Sequence, residues 1–211
     1  MSTELHLARL DQLVADILAL GARSVLDMGC GDGVLILELL KYPVIEKLAG
    51  MDVGEEAIRR LRQTLSALPQ KDRDRVTLAK GSMLDADQRW QGFDLAVMLE
   101  TIEHLDPADL SRLERRLFHD FAPRWIIITT PNSEFNDLLG VPPHRFRHPD
   151  HRFEWDRARF AAWARGVAKR HGYAVDLKPL GGAHPLLGGP SQMALFARIS
   201  LWIKNSLSRA P

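Results

Sequence analysis

The sequence has 211 residues, of which 45% are hydrophobic and 26% charged, and its 28 Lys and Arg nearly balance its 27 Asp and Glu. These values exclude a disordered, collagen-like or low-complexity chain, and a polyanionic partner would have to be held by a local patch. We expect one domain over 1–211, without a signal peptide or a membrane span. The one cysteine, Cys30, excludes a disulfide within the sequence and indicates a reducing, cytoplasmic compartment.

Hydrophobic spacing predicts that helices and strands alternate along the chain. An amphipathic helix comes first, over 1–21, with an apolar stripe formed by Leu7, Leu10, Val14, Ile17 and Leu18. The predicted strands are 23–28, 48–53, 75–79, 93–99, 125–130, 173–178 and 192–198, and the further helices are 34–40, 55–68, one that opens at Asp106-Pro107, and 156–171. Residues 131–155 form a long loop, and 204–211 are expected to fray. The alternation predicts an α/β fold with a parallel sheet covered on both faces, whose ligands bind at the carboxyl ends of the strands.

A glycine-rich loop follows the first predicted strand, with the sequence Asp27-Met28-Gly29-Cys30-Gly31-Asp32-Gly33. Val34 stands where the dinucleotide fingerprint Gly-x-Gly-x-x-Gly requires its third glycine, and Asp27 and Asp32 would repel a pyrophosphate. Asp52 ends the second strand, where a carboxylate accepts hydrogen bonds from ribose hydroxyls. S-adenosylmethionine has a cationic centre, an amino-acid end and a ribose, so it fits these residues better than NAD does.

This loop resembles motif I of the class I S-adenosylmethionine-dependent methyltransferases. The resemblance implies a Rossmann-like fold, with a seven-stranded, mostly parallel sheet that has helices on both faces and ends in an antiparallel strand. It also implies that Asp27, Gly29, Gly31 and Asp52 bind the cofactor. Ser82, in Gly81-Ser82-Met83-Leu84-Asp85 after the third strand, would then lie beside the adenine.

The segment Glu100-Thr101-Ile102-Glu103-His104 follows the fourth strand and faces the same crevice. If it forms a helical turn, offsets of 0, 3 and 4 place Glu100, Glu103 and His104 on one face. Two carboxylates and an imidazole would hold a divalent cation, Mg²⁺ or, more tightly, Mn²⁺. Taken alone, however, these five residues favour ordinary hydrogen bonding at the start of a helix, so the metal hypothesis needs a further ligand.

The long loop begins with Thr130-Pro131-Asn132-Ser133-Glu134-Phe135-Asn136 and ends with Arg147-His148-Pro149-Asp150-His151-Arg152-Phe153-Glu154-Trp155. Loops of this length inside a compact domain are usually functional. Either His148 or His151 would complete the metal cluster as a fourth ligand, and spacing does not choose between them. The alternative is a solvent-exposed loop rich in histidine and arginine.

The motifs ETIEHL, TPNSEFN and RHPDHRFEW together resemble the small-RNA 3′-terminal 2′-O-methyltransferases, the Hua enhancer family, which includes bacterial RNA-repair relatives. The resemblance extends over about residues 7–198, because the opening helix and GPSQMALF match as well. It implies that Glu100, Glu103, His104 and His151 bind the metal. It further implies a single methyltransferase domain with 131–155 as its active-site and RNA loop. RNA 3′ ends would be the substrate, with no DNA or membrane partner, and an RNA-processing or repair protein would be a partner.

The chemistry of this reaction explains why such residues are needed. A ribose hydroxyl is a poor nucleophile at neutral pH, and a divalent ion lowers its pKa. A metal with two open positions would chelate the vicinal 2′ and 3′ hydroxyls that only a 3′-terminal nucleotide offers, and a neutral His148 would take the proton. Between 144 and 171, eight basic residues outnumber three acidic ones, so a local charge of about +5 is expected to contact phosphates. One of Phe146, Phe153 and Trp155 is a candidate to stack on the terminal base, and the alternative for Trp155 is a place in the core.

Two other functions fit parts of the pattern. A metal-independent methyltransferase that acts on a small molecule needs only the glycine loop and the Glu103-His104 pair. A non-catalytic protein that binds RNA 3′ ends would use the fold as a scaffold. The intact set of Asp27, Gly29, Gly31 and Asp52 argues against that second alternative. The metal-dependent RNA 2′-O-methyltransferase is therefore the favoured hypothesis.

Overall fold

A computed structural model describes residues 2–199 of the chain. The helices are α1 (Ser2–Leu20), α2 (Val34–Leu39), α3 (Glu55–Ser66), α4 (Gln70–Arg73), α5 (Leu110–Glu114) and α6 (Arg157–His171). The strands are β1 (Ser24–Met28), β2 (Lys47–Asp52), β3 (Val76–Lys80), β4 (Leu95–Met98), β5 (Trp125–Pro131), β6 (Tyr173–Leu180) and β7 (Ser191–Arg198). All seven predicted strands are found within two residues of their predicted ends. Residues 204–211, which were predicted to fray, lie outside the described residues.

The strands form one seven-stranded sheet in the order β3-β2-β1-β4-β5-β7-β6. The pairs from β3 to β5 are parallel, whereas β7 is antiparallel to both β5 and β6. The chain leaves β1 towards one edge and returns to its other side as β4, so the carboxyl ends of β1 and β4 flank a switch point where ligands bind in such sheets. The predicted Rossmann-like class I fold is confirmed.

Both faces of the sheet are covered by apolar side chains. In β5, Ile126 and Ile128 pack into one core with residues of α5 and α6, whereas Ile127 packs into the other core with residues of α1, α2 and α3. Every residue of this strand is buried. A strand enclosed by two layers of helices reads as a continuous apolar run, which is why its position was predictable.

Helix α1 lies against the second of these cores through Leu10, Leu13, Val14 and Ile17. Leu7, predicted to belong to the buried stripe, is 53% exposed. Periodicity identifies the apolar face of a helix, but it does not say how far the neighbouring layer extends, and here the contact begins at Leu10. Within residues 2–199, no helix has the length and apolarity needed to cross a bilayer.

The helix predicted to open at Asp106-Pro107 is divided into three kinds of turn. Asp106 caps a 3₁₀ turn over Pro107–Asp109 by accepting a hydrogen bond from the amide of Ala108. Helix α5 follows, and a π-helix over Arg115–Phe121 then ends at Ala122, which has a φ of +44°. The Asp106-Pro107 signal predicted where this segment begins but not the change in its hydrogen-bond register.

Candidate active site

A cavity of about 580 Å³ opens at the carboxyl ends of β1 and β4. Eight of the ten predicted site residues line it: Asp27, Gly29, Gly31, Glu100, Glu103, His104, His148 and His151. Asp52 and Ser82 do not. The fold therefore brings the glycine loop, the segment after β4 and the long loop to one place, although they are far apart in the sequence.

The glycine loop adopts backbone conformations that other residues rarely reach. Gly29 has a φ of +82°, and a Cβ atom there would lie 2.3 Å from Cγ2 of Thr101. Gly31 has a φ of +51°, and a Cβ atom there would meet no protein atom within 4 Å. Gly29 is therefore required by packing inside the protein, whereas Gly31 leaves open space at the cavity wall for a ligand.

Asp52 holds the glycine loop from the neighbouring strand. Its Oδ2 accepts a hydrogen bond of 2.8 Å from the amide of Gly31, and its Oδ1 accepts one of 2.7 Å from the amide of Gly54. Each oxygen keeps a second lone pair, and its use by ribose hydroxyls stays a prediction. Ser82 lies just after β3, where its Oγ accepts a hydrogen bond of 3.1 Å from the amide of Leu84. Its contact with an adenine also stays a prediction.

Asp27 is a buried carboxyl group near the end of β1, only 3% exposed. Burial, together with a smaller contribution from the Asp52 carboxylate, raises the pKa of Asp27 to about 7. A bound cationic group would favour its ionised form. The cavity wall at Asp27 therefore suits a ligand that carries an amino group.

The helical turn considered for residues 100–104 is not formed. Glu100 has a left-handed φ of +50°, and only Ile102–His104 is helical, as a single 3₁₀ turn. Glu100, Glu103 and His104 nevertheless line the same cavity. Their proximity comes from a tight turn at the end of β4, and the face of a helix plays no part in it.

Both oxygens of the Glu100 carboxylate are bonded to other protein groups. Oε2 accepts hydrogen bonds from the guanidinium of Arg9 at 2.7 Å and from the hydroxyl of Ser191 at 2.8 Å. Oε1 accepts one of 2.8 Å from the hydroxyl of Thr129. The Arg9 and Glu100 side chains are each 19% exposed. This ion pair therefore forms part of the cavity wall.

Glu103, in contrast, is fully buried and short of partners. Its Oε2 accepts a hydrogen bond of 3.0 Å from the hydroxyl of Thr130, while Oε1 has no hydrogen-bond partner among the described residues. Burial, with repulsion from Glu100 as a smaller cause, raises the pKa of Glu103 well above its usual range. A buried carboxylate with an unpaired oxygen is stabilised by a nearby cation, so Glu103 fits a metal site.

Three imidazoles converge beside these glutamates. One nitrogen from each of His104, His148 and His151 lies within 4.8 Å of the other two. Burial, together with the proximity of His151 and His148, lowers the pKa of His104, which favours the neutral form that binds metals. Neither glutamate belongs to this tight group. Of the four predicted ligands, only His104 and His151 belong to this close group. Its third member is His148, which was predicted as a proton acceptor.

His151 is oriented by a buried carboxylate. Its Nδ1 lies 2.5 Å from Oε1 of Glu154, whose side chain is 1% exposed and also accepts hydrogen bonds of 2.7 Å from the Asn136 side chain and the Arg147 amide. Burial alone would raise the pKa of Glu154, but these hydrogen bonds outweigh it and lower the pKa. The ionised carboxylate keeps the proton on Nδ1, so Nε2 of His151 is free to bind a metal.

His148 is exposed, as is His104, and its side chain is 55% exposed against 7% for that of His151. Its Nδ1 accepts a hydrogen bond of 3.2 Å from the amide of Asp150, and Oδ2 of Asp150 lies 3.7 Å away. The role of His148 as proton acceptor stays a prediction.

Arg147 anchors the long loop. Its guanidinium donates hydrogen bonds of 2.6 Å to the carbonyl of Pro190 and to the side chain of Asn136. Further along the loop, the amide of Arg152 donates one of 2.7 Å to the carbonyl of Glu103. The four residues between these two anchors, 148–151, include both histidines of the loop that line the cavity.

The basic patch predicted over 144–171 is smaller than its composition suggests. Three of its eight members are tied to other groups: Arg147 within the loop, Arg157 to Glu134, and Arg170 to Glu114. The members without an acidic partner among the described residues are Arg145, Arg152, Arg159, Arg165 and Lys169. These five side chains are the part of the patch that remains available to phosphates.

Two of the three aromatic residues considered for base stacking are buried. Phe153 and Trp155 are 7% and 5% exposed, and their rings stack on each other with centroids 4.4 Å apart. The stacking hypothesis is wrong for both, because these rings belong to the core under α6. Phe146 is 46% exposed.

Sequence reasoning missed three residues that hold the site together. Arg9 lies four residues before Leu13 on the buried face of α1, and a charged residue at that position was a signal that could have identified it. Glu154 belongs to the RHPDHRFEW motif, but spacing within a loop carries no information about contacts. Ser191 is 182 residues from Arg9, to which it is hydrogen-bonded, and no local sequence pattern predicts this contact.

Comparison with known sequences places these observations in a family. A family model described as "Methyltransferase domain" matches residues 26–120. The chain is 42% identical over 166 residues to a "Small RNA 2'-O-methyltransferase" of Gallus gallus, in an alignment that covers 75% of this chain and 44% of that protein. The chain thus spans less than half the length of this relative.

Solved structures give the same answer over nearly the whole chain. The methyltransferase domain of bacterial CtHen1 superposes with a TM-score of 0.83 at 36% identity, covering 92% of this chain and 99% of that one. The small RNA methyltransferase HEN1 superposes with a TM-score of 0.85 at 33% identity, covering 93% of this chain and 26% of that one. The chain therefore belongs to the Hen1 family of small-RNA methyltransferases, within the class I S-adenosylmethionine-dependent methyltransferases.

Proposed function

We propose that this chain transfers a methyl group from S-adenosylmethionine to the 2′-hydroxyl of the 3′-terminal nucleotide of RNA, with the aid of a divalent cation. The observation that carries the proposal is the shared cavity, which has Asp27 and Gly31 on one wall and Glu103, His104 and His151 on another. A methyl donor and a cation bound in one space can act on one hydroxyl group.

The cofactor half of the cavity is assigned as follows. Asp27 binds the amino group of S-adenosylmethionine, because its buried carboxyl group gains a cationic partner there. The open side of Gly31 lets the cofactor approach the backbone. Asp52 accepts hydrogen bonds from the ribose hydroxyls with its remaining lone pairs, and Ser82 lies beside the adenine.

The other half fits a divalent cation on the chemistry of its donors. When bound, such an ion lowers the pKa of a hydroxyl group that it coordinates. Glu103 contributes the oxygen that has no other partner, and His151 contributes Nε2. His104 and Glu100 complete the set, and Glu100 remains bonded to Arg9. Because two of the four donors are imidazoles, Mn²⁺ is expected to support higher activity than Mg²⁺.

His148 is assigned the proton of the 2′-hydroxyl. As the bond from the ribose oxygen to the methyl carbon forms, the bond from the sulfur to that carbon breaks and S-adenosylhomocysteine leaves. The released proton passes to the imidazole of His148, and the Asp150 carboxylate, 3.7 Å from its Nδ1, stabilises the resulting imidazolium. The protein's remaining task is to hold the hydroxyl in line with the methyl group.

RNA is the substrate best supported by the surface and by the relatives. Of the five basic residues without acidic partners among the described residues, Arg145 and Arg152 lie on the long loop and Arg159 lies in the first turn of α6, so these three can contact phosphates next to the cavity. Helix α6 carries Arg165 and Lys169 away from it, towards the start of β6. The similar proteins of Gallus gallus and Arabidopsis thaliana are both named "Small RNA 2'-O-methyltransferase". An RNA-processing or repair protein as partner, and the cytoplasm as location, complete the proposal.

The test uses labelled S-adenosylmethionine and a short RNA with a 2′,3′-diol end, beside RNAs with 2′-deoxy and 3′-phosphate ends, in Mn²⁺ or in chelator. Label transfer to the diol end alone, and only with metal, is expected. Transfer in chelator would overturn the metal role, and equal labelling of all ends would overturn the terminal specificity. Glu103→Gln should abolish transfer while calorimetry still detects cofactor binding, whereas Glu134→Gln should behave like the wild type.

A further inference from the structure

Phe146 is the one exposed aromatic side chain among the Phe, Trp and Tyr residues that the structure describes. It is 46% exposed, and the others are buried or half-buried. A single exposed apolar residue is common on protein surfaces and needs no explanation by itself. Its setting decides whether it has a partner.

The loop holds Phe146 at the surface between fixed neighbours. Arg147, the next residue, is hydrogen-bonded through its guanidinium and its amide. His144, two residues earlier, has a left-handed φ of +64°, which turns the chain. Pro142 and Pro143 precede it and restrict the backbone further. The ring is therefore presented on a constrained segment, so it would lose little conformational freedom on binding a partner.

Phe146 is also next in the chain to residues that line the cavity and to positively charged residues. Arg147 and His148, the next two residues, both line the cavity. Arg145 and Arg152 have no acidic partner among the described residues. An apolar protein segment would leave those charges unmatched. A nucleobase attached to phosphates would satisfy both features, because the base has a π-face and the backbone is anionic.

We propose that Phe146 stacks on a nucleobase of the 3′-terminal segment of the RNA. The inference rests on the proposed function, since it takes the terminal ribose to occupy the neighbouring cavity. Stacking tolerates every base, so the contact adds affinity without sequence preference. Phe153 and Trp155 cannot supply it, because both rings are buried.

The test places 2-aminopurine, whose fluorescence is quenched by stacking, at the last or the penultimate position of a short RNA with a 2′,3′-diol end. Mg²⁺ and S-adenosylhomocysteine are present, so no methyl transfer occurs. We expect wild-type protein and Phe146→Trp to quench one of the two positions. Phe146→Ala should lose the quenching and bind about 5- to 150-fold more weakly, the range found for removal of one stacking ring. Leu138→Ala, in the same loop and 56% exposed, is the matched control and should bind like the wild type.

Equal quenching and equal affinity for the wild type and Phe146→Ala would overturn the proposal. A protein partner would then be the alternative ligand for this ring. A loss of affinity that persists on RNA with an abasic residue at the quenched position would overturn it too, because the contact would then not involve the base. If Phe146→Ala lowers the melting temperature, Phe146→Leu is compared with the wild type instead, because it removes the aromatic ring but keeps an apolar side chain. Methyl transfer by the wild type is measured separately, so a failure of the proposed function can be distinguished from a failure of the stacking proposal.

Discussion

Nδ1 of His151 lies 2.5 Å from Oε1 of Glu154, and the same carboxylate also accepts hydrogen bonds from the amide of Arg147 and the side chain of Asn136. One buried group therefore connects the orientation of a predicted metal ligand to the conformation of the loop that carries it. A carboxylate behind a ligating histidine fixes the tautomer of the ring and raises its basicity. Glu154 is thus expected to control metal affinity without touching the metal.

Glu154→Gln tests this relationship. The change removes the charge that keeps the proton on Nδ1 of His151, so affinity for Mn²⁺ should fall by about 10- to 100-fold. Paramagnetic resonance of free Mn²⁺ during a titration measures the affinity directly. Glu134→Gln makes the same chemical change at an ion pair with Arg157 and should leave the affinity unaltered. Equal affinities for Glu154→Gln and the wild type would show that His151 is oriented by other groups.

The ion pair between Arg9 and Glu100 should stabilise the fold as well as the cavity. Arg9→Met and Glu100→Gln should each lower the free energy of unfolding by about 1–3 kcal/mol, because each removes a hydrogen bond to a partly buried charged group. The double variant should lose less than the sum of the two, since it breaks the pair once. Urea denaturation of all four proteins gives the coupling, and strictly additive losses would contradict it.

Asp27 should make stability depend on pH. The pKa of Asp27 is raised from 3.8 to about 7 in the folded protein, so between these values the folded state keeps a proton that the unfolded chain has released. The free energy of unfolding therefore falls as pH rises through this window. Asp27→Asn removes the effect, so it should stabilise the cofactor-free protein by up to about 4 kcal/mol at about pH 8 and hardly at all below about pH 4.

Urea denaturation of wild type and Asp27→Asn at both pH values tests the prediction, and an equal difference at the two would refute it. The same variant should bind S-adenosylmethionine more weakly, because it has lost the carboxylate proposed to receive the amino group. Stability gained together with affinity lost would identify Asp27 as a residue kept for function at a cost to the fold.

Gly31→Ala should weaken cofactor binding without disturbing the protein. A Cβ atom at Gly31 meets no protein atom within 4 Å, so the fold should lose only about 1–2 kcal/mol from the left-handed backbone. The added methyl group would occupy space proposed for the cofactor, and the Kd for S-adenosylhomocysteine should rise at least about tenfold. Gly21→Ala is the control, because Gly21 is also left-handed with open space around it but does not line the cavity. Calorimetry should show unchanged binding for that variant.

The order of strands and helices was predictable because local sequence determines it. The apolar run at β5 and the glycine loop after β1 each carry their signal within a few residues. Less of the segment after β4 could be predicted, because the π-helix over Arg115–Phe121 differs from an α-helix in hydrogen-bond register and not in the apolar residues it buries. Leu7 likewise obeys the helical period, but the layer that would cover it does not reach that far.

The site shows a sharper division. Glu103, His104 and His151 were predicted as metal ligands from residue types and a family resemblance, and all three line one cavity, while their metal role stays a prediction. The groups bonded to Glu100 come from distant segments, and no rule of spacing links Arg9 or Ser191 to it. The left-handed φ of Glu100 was also hidden, since glutamate rarely adopts it.

Strand β7 is inserted between β5 and β6, and its first residue, Ser191, is hydrogen-bonded to both Arg9 and Glu100. The carbonyl of the preceding residue, Pro190, accepts a hydrogen bond from the guanidinium of Arg147. Because β7 is the last of the seven described strands along the chain, Glu100 lacks its Ser191 partner, and Arg147 lacks the carbonyl of Pro190, until this part of the chain has been made. The cavity wall is therefore completed only when β7 adds to the sheet, after its other strands are in place.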